Sequence, residues 1–247
     1  MRIAVISDIH ANVIALQRVL KKVDALQPDA LWCLGDVVGY GPEPEACVSV
    51  VRKRAAICLA GNHDLATIGA LDLARFNPVA REAILWQRDH LSEDSMTWLA
   101  TLPVKTARAD VTLAHGSPRS PEWEYVDDAS VAADNYDAFE TALCLIGHSH
   151  LAIAWRLYEQ NNHIHAELRT ESRGQPLPLT PQDKWLLNPG SVGQPRDGDP
   201  RAAFALLDTD ARQWTWFRLA YDIEAVEDAI IAAGLPALLG RRLHLGW

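Results

Sequence analysis

The chain has 247 residues, 49% hydrophobic and 22% charged, with a formal net charge of −9. A globular protein of this size buries roughly 70% of its unfolded surface and needs no staples to hold a core. The acidic balance argues against non-specific binding to nucleic acid or to an anionic membrane, and no window approaches the roughly 20 apolar residues of a membrane span.

In chain order, the run Arg2 to Asp8 is rich in β-formers, and no small-residue cleavage site follows it. A cytosolic location is therefore expected. Asn12 to Gln27 carries apolar residues at three- and four-residue spacing, which predicts a helix capped by Asn12. Two further apolar runs, Asp29 to Asp36 and Ala55 to Asp64, end in polar clusters and flank a helical PEACVSVVRKR. Continuous apolar runs alternating with helices predict a sheet covered on both faces. Two helices are expected over residues 79–102, stopped by Pro103.

From residue 111 strands dominate: VTLAHG, ALCLIGHSH, AIAWRLY, HIHAELR, KWLLNPG, AAFALLD and WTWFRLA. The Pro-rich Gly174 to Asp183 is expected to be a surface loop. YDIEAVEDAIIAAG predicts a last helix, capped by Asp222 and stopped by Gly234. With no repeat or linker to divide it, residues 1–247 are expected to form one domain. The four cysteines lack C-x-x-C spacing and are expected as buried small hydrophobes in a reducing compartment.

The unusual residues fall where apolar runs end: Asp8 and His10, Asp36, Asn62 with His63 and Asp64, His115, then His148 and His150. Ligands collect beyond the carboxyl ends of strands in layered α/β folds. Imidazole and carboxylate suit Zn²⁺, Mn²⁺ and Fe²⁺, and no thiolate is offered there for a structural zinc. His163 and His165 share the spacing of His148 and His150, but they alternate with apolar residues along one strand-like segment. That pattern predicts a wet strand face.

Asp8-Ile9-His10, Gly35-Asp36, Gly61-Asn62-His63-Asp64, His115-Gly116 and Gly147-His148-Ser149-His150, in that order, resemble the calcineurin-like metallophosphoesterases. LLNPGSVGQPR, Leu186 to Arg196, looks like their small bacterial and archaeal phosphodiesterase branch. The resemblance implies an α/β four-layer sandwich of two mixed sheets flanked by helices. It also implies two divalent metal ions (Mn, Fe or Zn) bridged by an aspartate and a hydroxide. Asp8, His10, Asp36 and His150 would hold one ion; Asp36, Asn62, His115 and His148 would hold the other. The reaction implied is attack of the hydroxide on a phosphate ester, most simply a diester, with His63 assisting the leaving group. Such assistance suits a ring whose pKa is near 7. Asp64 would either orient His63 or cap the following helix.

The sequence departs from the family's protein phosphatases at GDVVGYG, where Gly39-Tyr40 stands in place of an acidic-basic pair, which makes a phosphoprotein substrate less expected. Tyr40 is a candidate to stack on a base or bond a phosphate, or else to pack the loop. Arg196 is a candidate phosphate contact, or else a turn-stabilising or exposed residue. The NPGS turn is given no catalytic role, and most tryptophans are expected in the core or at a partner surface. Residues 65–80 and 117–135 are expected to wall the cleft.

The substrate expected is small, phosphorylated and nucleotide-like, with a phosphomonoesterase on small metabolites as the alternative. A non-catalytic scaffold is the reading of another class, and a nuclease is disfavoured by the charge. Oligomeric state is not legible, although LLGRRLHLGW is a candidate contact with a neighbour.

Overall fold

The computed structural model describes residues 1–108, 110–171 and 174–247. Among these, two six-stranded mixed sheets lie face to face. The first runs β3 (Ile57–Cys58), β2 (Ala30–Cys33), β1 (Arg2–Ile6), β11 (Ala202–Asp208), β12 (Gln213–Leu219), β9 (Leu177–Pro178). The second runs β4 (Lys105–Arg108), β5 (Val111–Ala114), β6 (Leu143–Leu145), β10 (Lys184–Leu187), β7 (Ile153–Gln160), β8 (His163–Thr170).

Strand alternation sorts the side chains into layers. Ile3 and Val5 of β1 face inward and meet Leu113, Leu145, Trp185 and Leu187 of the other sheet, with Trp214 and Trp216 in the same core. Their neighbours Ala4 and Ile6 face outward, under helices α1 (Val13–Leu26) and α2 (Pro44–Arg54). On the far side, Cys144, Trp155 and Leu186 pack with Val126, Phe139 and Ala132, the last from the short helix α6 (Ala129–Asp134). The result is the α/β/β/α sandwich that the resemblance implies.

Local signals set the helix ends. Asn12 Oδ1 accepts from Ala15 N, and Pro44 opens α2. Helices α4 (Pro78–His90) and α5 (Glu93–Ala100) fill the expected helical stretch before Pro103. Asp222 caps α7 (Ile223–Ala232), and Gly234 follows it with φ 73°.

Two stretches differ from expectation. The run Ala55 to Asp64 yields only the two-residue β3, and its polar cluster opens helix α3 (Asn62–Thr67). As an edge strand β3 has one neighbour, and Asp64 accepting from Gly61 N starts the helix immediately. The Pro-rich stretch is not wholly surface: Leu177 and Pro178 pair with β12 at the sheet edge, where a missing N–H is tolerated, and Leu179 is buried between the sheets. The C-terminal segment folds back on its own chain, with Leu239 of helix α8 (Leu238–Arg241) and Leu243 packed on Val226 and Ile230 of α7. Leu238 and Trp247 stay exposed.

His163 and His165 lie exposed on β8, as the wet-face reading predicts. Among the described residues, no helix is long and apolar enough to cross a membrane. No cysteine is in a disulfide, and Cys33, Cys47 and Cys144 are buried.

Candidate metal centre

Six strands point their carboxyl ends at one place. β1, β2 and β3 are mutually parallel in the first sheet, and β5, β6 and β10 in the second. Beyond those ends stand Asp8, Asp36, Asn62, His115, His148 with His150, and Asn188, all buried. A cavity of about 930 Å³ opens at the other ends of the strands, beside Met1, Trp32, Ile57 and Leu143. None of the candidate metal-binding, catalytic or substrate-binding residues lines it, so the chemistry and not the volume marks the site.

The buried groups form two sets that could each hold a cation. Asp8, His10, Asp36 and His150 offer ligand atoms within 4.8 Å of one another, and so do Asp36, His115 and His148. Asp36 belongs to both. Asn62 Oδ1 sits 3.3 Å from His115 Nε2, on the rim of the second set. Residues i and i+2 of the Gly147 to His150 turn thus serve different pockets.

Three of the rings are locked by the backbone. His10 Nδ1 donates to Val38 O at 3.1 Å, His115 Nδ1 to Leu34 O at 2.9 Å, and His150 Nδ1 to Gln194 O. Because a carbonyl only accepts, each Nδ1 carries the proton and each Nε2 turns inward, the usual arrangement of metal-ligating histidines.

In the first pocket the consequence is acceptors facing acceptors. His10 Nε2 and His150 Nε2 are 3.1 Å apart, and His150 Nε2 is 3.3 Å from Asp8 Oδ1, which has no hydrogen-bond partner. Protonation does not relieve this. Burial pushes His10 and His150 well below the ordinary imidazole range. A divalent cation does relieve it, so the donor set fits a metal.

The second pocket attracts positive charge as strongly. Burial works against a proton on His115, but Asp36 and Asp8 outweigh it and raise that ring to about 10. Burial likewise opposes ionisation of Asp36, yet His115 and His63 hold its carboxyl well below the usual range. Burial raises Asp8 to about 6, with His115 opposing. His148 Nε2 is buried without a partner, and burial lowers its ring to about 3.

Backbone strain is concentrated here. Asp8, His10, Asp36, Tyr40, His148 and His150 all have φ between 50° and 62°, a region that costs a non-glycine residue of order 1–3 kcal/mol. Two glycines let other segments close over the carboxylates. A Cβ on Gly61 would lie 2.0 Å from Asp36 Oδ1, and one on Gly147 would lie 2.1 Å from Ser7 Oγ and 3.0 Å from Asp8 Oδ2.

His63 stands beside the pockets, its ring 4.9 Å from that of His10 and its Nδ1 buried without a partner. Burial pushes it down to about 4, with Arg196 and His115 adding to the effect. At about 4 the ring is neutral at neutral pH, below the range near 7 that suits general-acid work. Asp64 does not bond to it. Its carboxylate accepts from Gly61 N, Val37 N and Val38 N, which caps α3 and ties that helix to the loop after Asp36. Of its two candidate roles, the cap is the one its bonds make.

Tyr40 is buried, 7% exposed, with its ring 4.8 Å from His10 and 4.4 Å from His63. It packs the loop as a wall of the site. Arg196 Nη2 donates to Gln194 Oε1, and its charge lowers the pKa of His10, His63, His148 and His150. Both expected wall segments reach the site: Phe76 contacts His63, and Tyr125 stacks on His148 at 4.1 Å.

Sequence reasoning missed several positioning residues. Asn188 Nδ2 donates to Gly147 O and Ser149 Oγ, and Ser191 Oγ donates to Asp8 O, so the NPGS turn braces both histidines and the first aspartate. Gln87 clasps the Tyr40 turn, accepting from Gly39 N and donating to Gly41 O. Its signal was legible: it is the one polar member of the buried stripe Ala80, Ala83, Ile84, Gln87 on α4.

Residues 1–212 match the family model described as the calcineurin-like phosphoesterase superfamily domain. The crystal structure of a metallophosphoesterase from Sphaerobacter thermophilus is 43% identical and covers 100% of this chain and 99% of its own, with a TM-score of 0.86. An uncharacterized protein of Methanocaldococcus jannaschii is 35% identical over 99% of this chain and 98% of its own length. A symmetrical bis(5'-nucleosyl)-tetraphosphatase of Nitrosococcus oceani is 32% identical over 54% of this chain, and the match spans only 50% of that relative. By family match and by full-length likeness to a solved relative, the chain belongs to the calcineurin-like phosphoesterase superfamily and is a metallophosphoesterase, a hydrolase of phosphoric esters.

Proposed function

We propose that residues 1–247 act as one domain that hydrolyses a diester or anhydride bond in a small, nucleotide-like phosphate, using two divalent ions. One observation carries the two-ion reading: two buried donor sets share Asp36, and the first is made of acceptors turned on one another. The ions would supply an acidified water for attack on phosphorus and neutralise charge on the phosphoryl oxygens. Asp8, His10, Asp36 and His150 would hold one ion, and Asp36, Asn62, His115 and His148 the other.

The chain's own groups do the remaining work. Carbonyls of Leu34, Val38 and Gln194 keep three Nε2 atoms aimed inward before any ligand arrives, so little reorganisation accompanies binding. Asn62 contributes a neutral oxygen, which keeps the pocket cationic once loaded. His63, neutral and unpartnered at Nδ1, offers a hydrogen bond to the departing oxygen as the P–O bond breaks.

The nucleotide-like substrate rests on the partial likeness to the tetraphosphatase. Initial rates on a simple aryl phosphodiester and the matching monoester, after Mn²⁺ loading and against a chelator blank, test the reading. Chelator-sensitive turnover with the diester faster supports it. A faster monoester moves the substrate to phosphomonoesters, and no turnover of either, with two ions bound, sinks it.

A further inference from the structure

Two guanidinium groups converge on the ring of Tyr40. Arg196 Cζ lies 5.9 Å from the ring centre and Arg242 Cζ 5.8 Å. They arrive from distant segments: Arg196 from the turn that follows β10, and Arg242 from the 3-10 helix Arg242–Leu245 that follows α8. The two segments are joined, because Gly198 N donates to Gly246 O at 3.1 Å. Leu239 and Leu243 dock the second one on α7.

Among the described residues neither arginine has a side-chain carboxylate within ion-pair distance, in a chain with 32 acidic and 23 basic residues. Arg218, buried in a comparable degree, is paired with both Glu171 and Asp197. Arg196 Nε is buried without any partner. Arg242 Nε donates at 2.6 Å to Trp247 O, in the carboxyl group of the last residue of the sequence, so Arg196 is the less satisfied of the two. Burial makes Arg242 harder to keep charged, and Arg196 adds to that. Like charges kept together and partly dry are costly unless an anion joins them.

The same Tyr40 ring contacts the rings of His10 and His63, so the arginines and the metal pockets share one neighbour. We propose that Arg196 and Arg242 form a second phosphate subsite, which takes the phosphate next to the one hydrolysed and so selects substrates with two or more linked phosphates. Guanidinium forks match phosphate oxygens in pairs, which an isolated lysine does not. Two cations on an acidic protein suit a short polyphosphate and not a nucleic acid backbone. This subsite rests on the reading that the metal pockets receive the phosphoryl group.

Two measurements separate the subsite from that reading. The first needs no turnover: calorimetric titration of the chelator-treated protein with inorganic tripolyphosphate and with orthophosphate. Tripolyphosphate should bind more tightly, and Arg242→Gln should cut that preference by about tenfold or more, with Arg242→Lys intermediate. The second, on Mn²⁺-loaded enzyme, is the ratio of kcat/KM for a dinucleoside tetraphosphate to that for an aryl phosphodiester. That ratio should also fall by about tenfold in Arg242→Gln. An unchanged preference in a folded Arg242→Gln overturns the subsite even where the esters are hydrolysed. A lost preference in an enzyme that hydrolyses nothing keeps the subsite and removes the reaction. If Arg242→Gln fails to melt cooperatively, Arg242→Lys decides, and a preference equal to wild type overturns the proposal.

Discussion

Asp36 Oδ2 lies 3.4 Å from His115 Nε2, and each residue stands just past a strand of a different sheet, β2 and β5. The pair therefore joins the two halves of the sandwich through a buried charge. Asp36 also lies 3.6 Å from His10 Nε2 and accepts from His63 N at 2.9 Å. Asp36→Asn keeps the shape but removes the charge common to both pockets. Turnover should fall by at least about 100-fold. Wild type should gain about 2.7 kcal/mol of stability when Mn²⁺ is present at 100 times its Kd, and the variant should lose most of that gain in thermal melts. A variant that still shows the full metal-dependent rise would refute the shared-ligand role.

His63 differs from the other site histidines because it belongs to neither donor set. His63→Ala should leave metal binding intact and lower turnover by about 10²–10⁴. The loss should depend on the leaving group. A nitrophenyl ester, which departs without help, should lose less than an alkyl ester, which departs as a strong base. Equal losses on both would assign His63 to packing against Tyr40 and Phe76 and not to the departing oxygen.

The residues of the two buried donor sets were legible in the sequence and their supports were not, for a physical reason. Asp8, His10, His115 and His148 announced themselves because polar residues at the mouths of apolar strands have no packing excuse. Asn188 did not, because an NPGS segment is equally good turn chemistry whether its amide faces water or, as here, Gly147 O. Helix caps at Asn12 and Asp222 were legible because they depend on neighbours within three residues. Partners far apart in sequence, such as Arg196 and Arg242, become neighbours only through the fold. The same holds for the left-handed backbone at Asp8 and His148, which no local preference demands.

Gln87 is fully buried, and its amide holds Gly39 N at 2.8 Å and Gly41 O at 2.8 Å. Gln87→Leu fills a similar volume but strands both backbone groups, at a cost of about 1–3 kcal/mol for each. Urea denaturation should show a lower midpoint with an unchanged slope. The turn between those bonds carries Tyr40, which backs His10 and His63, so turnover should fall too. If stability drops while kcat and KM stay at wild-type values, the clasp serves the fold alone.

Asn188 gives the sharpest contrast between a ligand and its support. Its Nδ2 reaches Gly147 O at 2.8 Å and Ser149 Oγ at 3.0 Å, its Oδ1 accepts from Gly190 N at 2.9 Å, and its carbonyl accepts from Trp216 Nε1 at 2.8 Å. The turn it braces presents His148 to one pocket and His150 to the other, both with positive φ. Asn188→Ala should therefore weaken Mn²⁺ binding by about 10–100-fold at both pockets, although Asn188 touches neither. Ser149→Ala removes one of those bonds and leaves Gly147 held, so its effect should be several-fold smaller. Should Asn188→Ala bind metal as tightly as wild type, the strain at His148 and His150 must be sustained elsewhere. Braces independent of Asn188 include the bonds of His148 N to Asp8, of His150 Nδ1 to Gln194 O, of Gly147 N to His115 O and of Arg196 N to His150 O.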